Sequence, residues 1–276
     1  MTITTIYNET IGKVLIRLVQ TPKGLAAVAV KDGTRTEPIY GDDAEELLSQ
    51  VRREIAQINP DYFGFDGAQA RFLKLFPGGF DDPEFDREER DYKVAASAAL
   101  SDAVPLEKAR AADAEVCKAL VKIFGRTNLL SSFEQIRIRN VLLGPHGPAF
   151  ARAAAQFTDG DLAGGLAGME VALKAHGPAS WPLVTYLPFL WRPNDHMYLK
   201  PQVTRDFADR VGHPFAQAYS AGLKPAVYKS LMELVTQTEA EISDLQPRDY
   251  IDIQSFIWVV GAYEEAAASI EIQPAE

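Results

Sequence analysis

The sequence predicts a mainly α protein, a helical bundle of short helices preceded by a small N-terminal β-meander plus helix module. Three observations predict this. "KVLIRLVQTPKGLAAVAVKDGTRTEPIY" alternates aliphatic and polar residues between Pro/Gly turns. From Lys93 onward, apolar residues recur at helical spacing between proline starts and glycine stops. At 276 residues, 47% hydrophobic and 24% charged, the chain is long enough to bury a substantial core.

In order, strands are expected near Lys13–Val19, Leu25–Val30 and Arg35–Tyr40, with turns at Thr21–Gly24 and at Asp32-Gly33, a strong hairpin signal. A helix capped by Asp42 or Asp43 follows, with Leu47, Leu48, Val51 and Ile55 on one face. This module spans residues 1–58. Residues 59–92 form an ordered aromatic and acidic connection, because Phe63, Phe65, Phe72, Phe76, Phe80 and Phe85 do not suit a flexible linker. The acidic run Asp81–Asp91 lacks the alternating spacing and central glycine of a calcium loop and reads as a solvated face. Residues 93–276 form the helical domain. Pro105 opens a helix running to Phe124, closed by Gly125. Ser131-x-x-Glu134 is a capping box. Pro148, Asp161, Pro201, Pro225 and Asp249 begin later helices.

Several chemistries find no pattern here. There is no phosphate-binding glycine loop followed by Lys-Ser/Thr. The four histidines are scattered singly and Cys117 has no cysteine partner, so neither a metal nor any other cofactor is expected. One cysteine excludes an internal disulfide and fits a reducing compartment. No run approaches the roughly 18 apolar residues that span a bilayer. A cytoplasmic protein without a membrane partner is expected.

Charge is distributed unevenly. Net charge is -10, yet residues 118–230 hold 13 Lys+Arg against 7 Asp+Glu. This region reads either as a phosphate-facing surface or as a chance imbalance over a solvated one. Two segments, Leu142–Ala153 and Lys174–Leu190, close one helix on glycine and open another at once. Such turns expose backbone N–H groups at Gly147 and Gly177, which suits a phosphate; ordinary helical hairpins have the same appearance.

From His176 the order is glycine turn, apolar helix, Arg-Pro turn, then "HMYLKPQVTRDFADRVG". Residues 174–212 are similar in this to the later half of helix-hairpin-helix DNA glycosylases, with Arg205 and Arg210 in the last helix of that pattern. The resemblance implies DNA binding. Two departures accompany it. The hairpin has Gly177-Pro178-Ala179 where the family has two glycines spaced by one residue, and Lys200-Pro201 stands where the catalytic aspartate falls. A lysine opposes the positive charge that the aspartate would stabilise, although an amine can act as a nucleophile. Glycosylase chemistry is therefore not expected.

The leading expectation is a nucleic-acid-associated protein, in DNA repair or defence, binding through Gly147, Arg152, Gly177, Arg205, Arg210, Lys224 and Lys229. Arg137 and Arg139 are two apart and do not share a helix face, so at most one joins them. One alternative is an enzyme with an aromatic pocket made by Trp181, Tyr186, Trp191, Tyr198 and Trp258, with Lys200, Asp252 or His196 supplying chemistry. Another is an interaction scaffold whose acidic N-terminal module binds a basic protein. In the last helix, Asp249 and Asp252 read as a capped start, and Gln254 as either a core residue or a pocket group.

Overall fold

A computed structural model describes residues 3–11, 14–31, 34–58 and 64–263. The protein is mainly α with an N-terminal antiparallel sheet, and it divides into two compact units. One is Met1–Leu75 with Ala262–Glu276, and the other is Phe76–Gly261. The first division thus falls inside the stretch the sequence reads as a connection.

In the first unit, β1 (Thr4–Ile11), β2 (Val14–Thr21) and β3 (Gly24–Lys31) form a meander, and β4 (Thr34–Arg35) and β5 (Ile39–Gly41) both pair with β3. β1 is an addition to the strands read from the sequence. The expected third strand divides in two: the Thr36 hydroxyl oxygen accepts from the Ala29 N–H, and Pro38, with no N–H, falls in the gap. Register sets Ile16 opposite Ala29 and Leu18 opposite Ala27. The alternating residues Val14, Ile16 and Leu18 therefore face one side, where Leu47, Leu48 and Val51 of α1 (Ala44–Ile58) bury them. Asp43 caps α1, accepting from the Glu45 and Glu46 N–H groups. Arg52 grips Glu9 with both nitrogens at 2.8 and 2.7 Å, and this pairing lowers the Glu9 pKa. The α2 helix (Gly64–Leu75) packs on α1. Asp32-Gly33, Phe63 and the side chain of Ile55 lie outside the described residues.

The second unit begins with an aromatic cluster, Phe76 and Phe80 edge-on to Phe85 at 5.5 and 5.3 Å between centroids. Asp82 caps the short α3 (Pro83–Phe85), and a π-helical turn, Asp86–Arg90, leads into α4 (Asp91–Ala103). The helix expected from Pro105 to Phe124 is two, α5 (Leu106–Arg110) and α6 (Ala114–Phe124). Asp113 breaks it by taking the N–H groups of Glu115 and Val116 as a new N-cap. The capping box at Ser131 opens α7 (Ser132–Leu143). Then follow α8 (Gly147–Thr158), α9 (Leu162–Leu173), α10 (Trp181–Trp191), α11 (Pro201–Arg210), α12 (Phe215–Ala218), α13 (Pro225–Glu241) and α14 (Tyr250–Ala262).

Helix α10 is the centre of this unit: every residue in it is buried. A helix buried all round has no solvent face to present. The extended stretch after it is tied down by Leu199 N–H to the Thr185 hydroxyl and Met197 N–H to the Tyr228 hydroxyl. That stretch delivers Lys200 to the start of α11. Among the described residues no helix is long and apolar enough to cross a membrane.

Candidate functional site

Helix α14 begins with Asp249 accepting from the Ile251 and Asp252 N–H groups. The Asp252 carboxylate is wholly buried and saturated. It accepts from Arg90 Nη1 at 2.7 Å, from Arg248 Nε at 2.8 Å and from the Arg248 backbone N–H at 2.9 Å. Arg90 also bridges to Asp249, and Arg248 to Asp86. These charges clamp the π turn to the start of α14. Asp252 does not reach Lys200, so the sequence-proposed pairing of these two in one chemical site is corrected: the carboxylate is consumed by two guanidinium groups.

Two residues further along α14 the situation differs. Gln254 is 5% exposed, and its Oε1 atom is buried with no hydrogen-bond partner. It lines a small cavity of about 50 Å³ whose floor is Lys93, Leu129 and Tyr198. The mouth is made by Tyr92, Asn128, Lys200 and Trp258, all of them partly or fully exposed. Lys93, on α4, is 0% exposed and donates to Glu89 at 3.0 Å and to the Ser255 hydroxyl at 2.8 Å. Burial pushes its amine from 10.5 down to about 8, against the pull of Glu89. Tyr198 and Lys200 both donate to the Leu129 carbonyl, at 2.7 and 3.1 Å. Burial raises the Tyr198 pKa well above its ordinary value, so the phenol stays protonated.

Of the five aromatic residues read from the sequence as one pocket, Tyr198 and Trp258 line this cavity and three do not. Trp181 gives its indole N–H to the Ser220 carbonyl, Trp191 to Val104, and Tyr186 its hydroxyl to Ile123. Those three are core side chains with satisfied polar ends, which is why they crowd an all-buried helix. His196 also lies elsewhere, held between the Tyr228 hydroxyl and the Thr158 carbonyl, with its pKa lowered by burial. Cys117 is buried and its thiol is pushed up to about 11, which keeps it from acting as a thiolate. The residue that sequence reasoning missed is Lys93. Its one signal was a lysine four residues after Glu89.

A second feature lies at the helical hairpin. Gly177, at φ 111°, turns the chain between α9 and α10. An added Cβ there would sit 3.4 Å from the Arg137 guanidinium, which donates to the Pro178 carbonyl. Two buried polar atoms at this turn, Arg137 Nε and Ser180 Oγ, have no partner. An open groove of about 720 Å³ runs beside it, bordered by Glu170, exposed Lys174, Gly177 and the loop Ala221–Leu223. Lys224 follows that loop, and Arg205 lies over the Tyr219 ring at 5.1 Å just before it.

The other basic-region residues are placed differently. Gly147 is corrected as a phosphate turn: its N–H donates to the Gly144 carbonyl, and a Cβ there would lie 2.2 Å from the Leu142 carbonyl oxygen. It is a glycine because two backbones touch. Arg152 donates to the Ala112 carbonyl at 2.7 Å and braces α8. Arg210 is partly buried at the end of α11, and exposed Lys229 lines a separate groove on α13 beside Asp195 and Glu233. Among the described residues, no group of three or more His, Cys, Asp or Glu side chains is placed to hold a metal ion.

No family model, no curated protein and no solved structure matches this chain.

Proposed function

We propose that the helical unit binds nucleic acid, with the phosphate backbone lying along the groove at the Gly177 hairpin. The observation that carries this reading is the open groove of about 720 Å³ at the Gly177 turn, with exposed Lys174 on its wall. Lys174 and Glu170 are the charged residues on the groove wall; exposed Lys224 follows its Ala221–Leu223 side in sequence, and Arg205 lies over Tyr219 just before that loop. The similarity of residues 174–212 to helix-hairpin-helix DNA glycosylases points the same way. Lys200 at the aspartate position keeps this reading to binding and not to glycosidic bond cleavage.

The test is a filter-binding titration of a short DNA duplex across salt concentration. Affinity is expected to fall steeply as salt rises, through release of condensed counterions. Lys174→Glu and Lys224→Glu should each weaken binding and make the salt slope shallower by about one. Absence of affinity at low salt would overturn the reading.

A further inference from the structure

We propose that the cavity floored by Lys93 and Gln254 is a binding site for a small planar lactam or imide edge, a carbonyl oxygen beside a ring N–H, as keto nucleobases carry. This inference is independent of the hairpin groove. It rests on an inventory of what the cavity offers and what remains unpaired.

Gln254 is 5% exposed, with its amide oxygen unpartnered. A buried acceptor with no donor is rare, and the missing donor has to come from something that enters the cavity. Lys93 gives two of its three N–H donors to Glu89 and Ser255, and its ammonium lies 5.3 Å from the centroid of the Tyr92 ring at the mouth. Lys200 uses one, on the Leu129 carbonyl, and that carbonyl also receives Tyr198, so it has no capacity left for a ligand. Donors exceed acceptors in this lining: the Lys93 and Lys200 ammonium groups and the amide nitrogens of Asn128 and Gln254 stand against two amide oxygens, of which the buried one, on Gln254, has no partner. The complementary ligand is rich in acceptors and has one donor, as in an acceptor–donor–acceptor imide. A carboxylate or phosphate would leave the Gln254 oxygen unanswered. A purely apolar ligand would leave both lysines unanswered.

Size and lining agree with this. About 50 Å³ admits the polar edge of a heterocycle and not its whole body. The ring then rests at the mouth, where Tyr92 and Trp258 present aromatic surface on which a planar ring stacks. Uracil is the simplest probe, and the same edge can arrive on a free base or on a base of a single strand.

The experiment measures binding of uracil, 1,3-dimethyluracil and cytosine to the full chain by ligand-observed NMR, with oligo(dT) and oligo(dA) as the strand-borne arm. Uracil or oligo(dT) is expected to bind at least tenfold tighter than its partner probes. Binding to oligo(dT) without binding to uracil assigns the strand as the source, and the reverse assigns the free base. Gln254→Leu breaks no hydrogen bond seen in the structure, so it should fold and reduce affinity at least tenfold. Equal binding of 1,3-dimethyluracil, unchanged binding in Gln254→Leu, or no binding of any probe overturns the proposal. Loss of DNA binding in the hairpin variants leaves this outcome untouched.

Discussion

Two polar regions meet on α14 and behave in opposite ways. At its start, Asp249 and Asp252 are met by Arg90, Arg248 and backbone donors, and each carboxylate is satisfied. Two residues on, Gln254 is buried with its amide oxygen unpartnered, next to a cavity lined by Lys93 and Lys200. Charge alone does not mark a site. The ion cluster is the more highly charged of the two, yet its groups answer one another and it acts as a clamp. The cavity carries less charge and is incomplete, so it has chemistry left to offer.

The largest expected effect comes from breaking the clamp. Asp252→Ala leaves Arg90 and Arg248 facing each other without their shared carboxylate and should cost about 3–5 kcal/mol. Urea denaturation measures it, and a loss under 1 kcal/mol would place the two regions on an equal footing. Next is Lys93. Its folded pKa of about 8 lies below the ordinary 10.5, so between these values the unfolded chain holds a proton that the folded chain has released. Stability through this group therefore rises as pH climbs from 8 toward 10.5. Glu89 and Asp252 pull its pKa up, while burial and Arg90 push it down. The stability of wild type relative to Lys93→Met should increase over that window, by on the order of 2–4 kcal/mol. A flat difference curve would mean that the amine stays an ordinary ammonium. The smallest effect belongs to Gln254→Leu, which removes an unsatisfied group and should leave stability within about 1 kcal/mol of wild type, or raise it. A larger loss would show that the amide is already paired in solution and that the contrast between the regions fails.

Much of the fold was legible because local chemistry decides it. Asp43, Ser131 and Asp249 announce helix starts through side-chain oxygens that reach backbone N–H groups two or three residues on. The break at Asp113 follows the same rule, but the Ala-rich run from residue 94 favours helix right up to it and hides it. The site was less legible. Tyr198, Lys200 and Trp258 stand out as types, whereas Trp181, Tyr186 and Trp191 look equally eligible until their polar ends are seen to be occupied. Lys93 was invisible as a site residue because its burial depends on Ser255, 162 positions away. Only tertiary contact turns an ordinary exposed lysine into a desolvated one.

The π turn at Asp86–Arg90 fits one more residue into a turn than an α-helix does. Removing Arg87 or Glu88 would let the helix close in α register and rotate everything before it by about 100° relative to α4. Phe85 and Asp86 would then swing away from the aromatic cluster and from Arg248, while Glu89 and Lys93 would keep their spacing. The exposed Arg87 and Glu88 should therefore accept substitution far more readily than deletion. A scan of single-residue deletions would show them as a short zone of intolerance beside a cavity whose own residues can be exchanged.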